Sequence, residues 1–148
     1  MQRAGKLVIK KRDITVPPPL VEIPGPGTYL FGPFVFQIDM SGESNHRSQV
    51  LPEPGRIVMD AERIKWPLRI RSWKPGDRFC PLGMKGTKKL HDYFIDSKIP
   101  REERTKVPIL CDSEKICWVA GLRMDDRVKT SPKTREIVTV RFSLSGTA

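Results

Sequence analysis

The chain has 148 residues, 38% of them hydrophobic, and 27 Lys and Arg against 17 Asp and Glu give a formal charge of +10. That length suits one domain, or one domain with an appended arm, and is enough to bury a core. No apolar run approaches the ~18 residues of a membrane span, no charged, apolar and small-residue leader opens the chain, and three cysteines form an odd set that favours free thiols over disulfides; a soluble cytoplasmic protein without membrane contact is expected.

Residues 1–13 read as a polar arm in which Leu7-Val8-Ile9 makes an edge strand. The stretch VPPPLVEIPGPG that follows is too rich in proline for a helix or a central strand, because proline lacks the ladder N–H and fixes its backbone angle. TYLFGPFVFQIDM (28–40) predicts a hairpin broken at Gly32-Pro33, SGESNHRSQVLPEPG a loop, and RIVMD (56–60) a strand. In WPLRIRSW the period is two, so Leu68 and Ile70 face one way and Arg69 and Arg71 the other. A turn at Pro75-Gly76 leads to GMKGTKKLHDYFID, where a helix over 87–97 places Leu90 and Phe94 on one side, with Thr87 as its N-cap. IPREERTKVP predicts a second short helix between Pro100 and Pro108. Strands are expected at 107–112 and 116–122, then a loop, RMDDRVKTSPKT, and a last strand in which Val138, Val140, Phe142 and Leu144 alternate with polar residues. The sum is an α+β chain, mostly β, with two short helices.

Charge is placed unevenly. Residues 1–67 hold 9 Lys/Arg against 7 Asp/Glu, whereas residues 68–148 hold 18 against 10. A basic surface gathered in one half is the footprint of a domain that meets a polyanion. Gly83 and Gly86 permit backbone angles closed to other residues, and Lys85, Lys88 and Lys89 cluster where the helix starts. Cations there are locally unfavourable by ~0.3–1 kcal/mol, which points to an anion, such as a phosphate, that neutralises them. The bland alternative is a glycine turn whose lysines point into water. No G-x-x-x-x-G-K-[ST] stretch exists, so this is not a nucleotide-binding P-loop.

Catalytic and metal constellations are weak. His91 and Asp92 are adjacent and point apart on a helix, with no nucleophile beside them. Asp125-Asp126 sits between Arg123 and Arg127, which offer the carboxylates partners other than a metal. Cys111 and Cys117 lack the short spacing of a structural zinc site, so buried free thiols are expected. Read from its residues, the chain is a binding module with no catalytic residues and no metal.

The run PLRIRSWKPGDRFCPLGMKGTKKLHDYFIDSKIPREERTKVPIL, followed by ICWVAGLRMDDRVKTSPKT, resembles the C-terminal domain of bacterial tRNA(Ile)-lysidine synthetase, the MesJ or TilS family. The resemblance is dense over about residues 60–142, and IPGPGTYLFGPFVFQID is similar to the β segment that precedes that domain. It implies a β-sandwich or barrel-like sheet of unusual topology, shared with a domain of the phenylalanyl-tRNA synthetase β chain. It also implies an arm and hairpin segment over 1–58 joined to a tRNA-binding domain over 59–146. The family's enzyme adenylates an anticodon cytidine with ATP and attaches lysine in an N-terminal domain marked by SGGxDS. That signature is absent here, so no cofactor is expected in this fragment, whose start suits an expressed piece. Its implied partners are tRNA(Ile), through the acceptor stem, and the catalytic domain of the same polypeptide.

On this reading Arg69, Arg71, Lys74 and Arg78 form one basic strip, Lys85, Lys88 and Lys89 a second that Arg101 and Arg104 extend, and Arg123, Arg127, Lys129 and Lys133 a third. Arg71, Lys88, Lys89 and Arg127 are the leading candidates for RNA contact. The bland case pairs about half of these cations with Asp77, Glu102, Glu103, Asp125 and Asp126. A rival reading makes the chain an interaction module that never touches RNA, docking through an aromatic hairpin of Tyr29, Phe31, Phe34 and Phe36. A stand-alone hydrolase built on His91 and Asp92 is the third.

Overall fold

The computed structural model describes residues 17–42 and 55–145. The Leu7-Val8-Ile9 patch lies outside them, and the loop expected at 41–55 is described only at its ends, where Ser41 and Gly42 still belong to a strand.

Eleven strands are described. The first three are β1 (Val21–Ile23), β2 (Gly27–Phe31) and β3 (Phe34–Gly42). Next come β4 (Arg56–Asp60), β5 (Leu68–Arg71), β6 (Arg78–Phe79) and β7 (Lys88–Lys89). The set ends with β8 (Ile109–Cys111), β9 (Ile116–Val119), β10 (Arg123–Met124) and β11 (Glu136–Leu144). One α-helix, α1 (Leu90–Asp96), follows β7, and Arg101–Lys106 form a 3-10 helix where the second helix is expected. The strands make a five-stranded sheet in the order β1-β5-β8-β9-β10, a four-stranded sheet β2-β3-β11-β4 and a two-stranded ribbon β6-β7.

Local chemistry explains much of this. Gly32 turns the β2–β3 hairpin at a φ of +57°, a conformation that costs a side chain energy and glycine little. The proline-rich stretch supplies β1, which sits at the sheet edge where missing N–H groups do no harm. β11 pairs with β3 along nine residue pairs and with β4 on its other side, so the last described strand lies in the middle of its sheet. β4 spans residues on both sides of the 58/59 boundary expected above.

The two larger sheets pack face to face. Ile23, Ile70, Leu110 and Trp118 of one meet Phe36, Ile38, Met59 and Val140 of the other. All eight are essentially inaccessible, and burying each such side chain contributes ~1.5–3 kcal/mol. The opposite face of the five-stranded sheet carries Ile109 and Val119, which pack with Phe79 and with Leu90 and Phe94 of α1. In β5, Leu68 and Ile70 enter the first core, while Arg69 and Arg71 emerge on the helix-bearing face, opposite Cys111 and Ile109 of β8. The aromatic hairpin is largely spent in the core: Phe31 and Phe36 are buried and Phe34 stacks on Phe142 at 5.3 Å between centroids. Those rings therefore do not form the exposed docking face that the rival reading required. No helix among the described residues is long and apolar enough to cross a membrane.

Candidate nucleic-acid interface

Period-two geometry on β5 brings the first basic strip together. Arg69, Arg71, Lys74 and Arg78 line one open cleft of about 360 Å³ beside β8 and the β8–β9 turn. Their side chains do different work. Arg71 Nη1 and Nη2 donate to Asp77 Oδ2 and Oδ1 at 2.9 and 3.1 Å, and Nη1 also donates to the Ser72 carbonyl. Burial opposes the charged guanidinium, yet the two bonds to Asp77 more than offset it and its pKa lies above the ordinary value. Asp77 also accepts the Lys74 N–H at 2.8 Å, so this pair closes the 74–77 turn. Arg69 donates through Nε to Glu22 at 3.2 Å, with both side chains about half exposed. Arg78 donates through Nε to the Thr87 hydroxyl at 3.2 Å.

The second strip differs from the sequence expectation. The helix begins at Leu90, not at residue 87, and Lys89 holds the N-cap position with no side-chain cap bond. Thr87 is not the cap. Lys88 and Lys89 lie in extended backbone, paired with Phe79 and Arg78 across the β6–β7 ribbon. Tertiary pairing has overridden the local helix signal, and the Leu90 N–H is taken by the Asp77 carbonyl at 2.9 Å. A phosphate bound at the helix start therefore loses its geometric basis. Lys88 is ion-paired with Asp96, whereas Lys85 and Lys89 are exposed and have no carboxylate partner among the described residues.

In the third strip a buried carboxylate organises the loop. Asp125 is inaccessible to solvent and accepts the Cys80 N–H at 2.8 Å, the Arg127 N–H at 2.8 Å, and Arg127 Nε and Nη2 at 2.9 and 2.8 Å. The bond to Asp125 raises the Arg127 pKa against the effect of burial. Asp126 accepts the Gly83 N–H at 3.1 Å and Lys129 Nζ at 3.1 Å, and these lower its pKa, the glycine bond most. Asp125 and Asp126 thus hold the loop to the 80–84 segment, and no group of three or more metal-ligating side chains exists among the described residues. Arg123 is exposed without a carboxylate partner among the described residues, and Lys133 is exposed at the end of the same loop.

Arg101 is exposed on the 3-10 helix; Arg104 donates to the Ile99 carbonyl at 3.1 Å and lies over the Phe94 ring, which makes it a packing residue as much as a surface cation. His91 is exposed, 3.4 Å from Asp92 and tilted against Trp73. The three thiols are free and buried. Lys115 was not among the sequence candidates, yet it lines the cleft and donates to Asp112 at 2.7 Å. Only its place in the tight DSEK turn between two apolar strands could have pointed to it.

Backbone bonds join the three basic segments. Leu90 N–H donates to the Asp77 carbonyl, Leu82 N–H to Met124, and Asp126 N–H to Cys80. Leu90 thereby ties the start of α1 to the 74–78 turn, and the other two bonds tie the 80–86 loop to the 123–129 loop.

Comparison with known proteins fits this architecture. A family model described as the TilS substrate C-terminal domain matches residues 68–142. The tRNA(Ile)-lysidine synthase of Caldanaerobacter subterraneus subsp. tengcongensis is 33% identical over 142 residues, which are 96% of this chain and 29% of that relative. That of Parabacteroides distasonis is 39% identical over 112 residues, 76% of this chain and 24% of the relative. The chain therefore spans 29% and 24% of the length of these two curated relatives. A crystal structure titled as the TILS C-terminal domain superposes with a TM-score of 0.72 at 26% identity, covering 87% of this chain and 100% of that one. With β5 through β10 and most of β11 inside the matched stretch and the mostly β sandwich shared with that solved domain, the chain belongs to the TilS substrate C-terminal domain family.

Proposed function

We propose that this domain grips the acceptor stem of an isoleucine tRNA on behalf of a tRNA(Ile)-lysidine ligase. The ATP-dependent adenylation and the attachment of lysine are assigned to a separate catalytic domain of the same polypeptide, and this domain contributes no cofactor. Supporting the reading is one observation above others: the three linked segments present Lys74, Arg78, Lys85, Lys89 and Arg123 without a carboxylate partner among the described residues. Arg101 adds a sixth such cation on the neighbouring 3-10 helix. In this arrangement the saturated pairs, Arg71–Asp77 and Arg127–Asp125, fix the turns, and the open cations meet phosphates. Phosphate contacts of this kind set register, and A-form duplexes are recognised mostly through backbone and shape.

Electrophoretic titration of the chain against an isoleucine tRNA and an unrelated tRNA tests this. Charge reversal at Lys85 and Lys89 to Glu is expected to abolish the shift, whereas reversal at Arg135, outside the three segments, leaves it intact. Unchanged binding by the Lys85→Glu/Lys89→Glu variant contradicts this interface, and a parent chain that binds neither tRNA favours a domain that docks on protein alone.

A further inference from the structure

We infer that the cleft between β5, the 74–78 turn and the β8–β9 turn is a subsite for the phosphate monoester of a nucleotide, a reading that rests on the RNA-binding role proposed above. Size gives the first argument. At about 360 Å³ the cleft falls at the small end of ligand sites, which run from ~300 Å³ upward. The body of a double helix cannot enter a cavity of that size, whereas a strand end or a single nucleotide can.

Charge gives the second. Five cations line the cleft; Arg69, Arg71 and Lys115 are ion-paired with Glu22, Asp77 and Asp112, which leaves Lys74 and Arg78 without a carboxylate among the described residues, against the one remaining lining carboxylate, Glu114. A phosphate monoester carries about −1.5 to −2 at neutral pH, whereas a diester inside a strand carries only one charge. Donor geometry gives the third. Arg71 and Lys115 are fixed to Asp77 and Asp112 and serve as walls. Among the described residues Arg69 and Arg78 each spend only Nε on a neighbour, so their Nη groups remain available for a forked contact with phosphate oxygens. Lys74 uses its backbone N–H on Asp77, and its ammonium has no partner among the described residues. These three donors line the cleft together with apolar Leu20 and Ile116, a mixture suited to a phosphate with its nucleoside attached.

Two sources of a nucleotide monoester are separable: the 5′ end of an RNA strand and a free nucleoside monophosphate. The test compares tRNA transcripts bearing a 5′-monophosphate or a 5′-hydroxyl for binding to the 148-residue chain, alongside direct titration with AMP. The same measurements are made on the exposed Lys74→Gln/Arg78→Gln variant, with circular dichroism confirming its fold. A preference of about tenfold for the 5′-phosphate, lost in the variant, is expected, as charge-assisted contacts to one group are worth that much. AMP binding that the variant abolishes, without any 5′-end preference, assigns the subsite to a free nucleotide. Equal affinity for the two transcripts together with no AMP binding overturns the subsite and leaves RNA binding standing. Failure of both transcripts to bind overturns the RNA reading itself, whatever AMP does.

Discussion

Replacing Arg71 with Gln separates the structural cations of this domain from those proposed to meet RNA. Arg71 is a leading sequence candidate for phosphate contact, yet its side chain is only 18% exposed and its bidentate partner Asp77 only 9%. In Arg71→Gln the Asp77 carboxylate keeps one backbone donor, the Lys74 N–H, and loses both guanidinium bonds. Removing one partner of a fully buried pair costs ~3–5 kcal/mol, and the residual exposure here lowers that to about 2–3 kcal/mol. For a chain of this size each kcal/mol moves Tm by roughly 2–4 °C, so thermal unfolding is expected about 5–10 °C lower. Lys89→Gln, at an exposed position, changes stability by no more than ~0.5 kcal/mol. Binding measured well below both transitions should show the reverse order. Lys89→Gln reduces the salt slope of tRNA binding by about one contact, and Arg71→Gln leaves it nearly unchanged because its donors already have partners. A double-mutant cycle with Asp77→Asn should return a coupling energy of about 1–3 kcal/mol. Should Arg71→Gln unfold within 2 °C of the parent and lose a full unit of salt slope, the division between positioning and contacting cations is wrong.

Three further expectations concern the carboxylates and thiols. Asp125→Ala strips partners from the Cys80 and Arg127 N–H groups and from the guanidinium, so urea unfolding should show a loss of about 3 kcal/mol; a loss below about 1 kcal/mol would mean the loop is held by other contacts. Asp112 is held below its ordinary pKa: burial works the other way, but Lys115 and the N–H groups of Lys65, Glu114 and Lys115 outweigh it. With its folded pKa depressed, Asp112 contributes stability that is complete above the unfolded value of ~3.9 and lost as pH falls through the folded one. Asp112→Asn should accordingly flatten the acid limb of the stability profile below about pH 4, and an identical acid limb would refute the assignment. Burial pushes the Cys111 thiol up to about 11 and raises Cys80 and Cys117 as well. Ellman's reagent at pH 8 should therefore label the native chain slowly and reach three thiols only on unfolding; rapid labelling of the native state would contradict the burial.

What the sequence made legible follows from where its signals are local. Alternation announced β5 and its two faces, the Gly32-Pro33 break announced the β2–β3 hairpin, and Leu90 and Phe94 announced the apolar side of α1. Each of those depends on neighbours a few residues apart. The start of α1 was misplaced because the extended state of Lys88 and Lys89 is set by Phe79 and Arg78 across a two-residue ribbon, which no propensity encodes. Partner choice among charges was hidden for a related reason. Asp77 and Asp125 were recognisable as acids near Arg71 and Arg127, but only the folded turns decide that they chelate those guanidinia while Lys85 and Arg123 stay open. Lys115 reached the cleft through β8–β9 pairing, and β1 reached β5 across 47 residues of chain.

The central claim is that open cations on three linked segments hold an RNA backbone. The salt dependence of tRNA affinity measures that number of contacts directly. About six phosphate contacts predict a log-log slope of roughly −4 to −5.5 between 50 and 200 mM salt. A slope near zero, or no tRNA complex at the lowest salt, would contradict the claim.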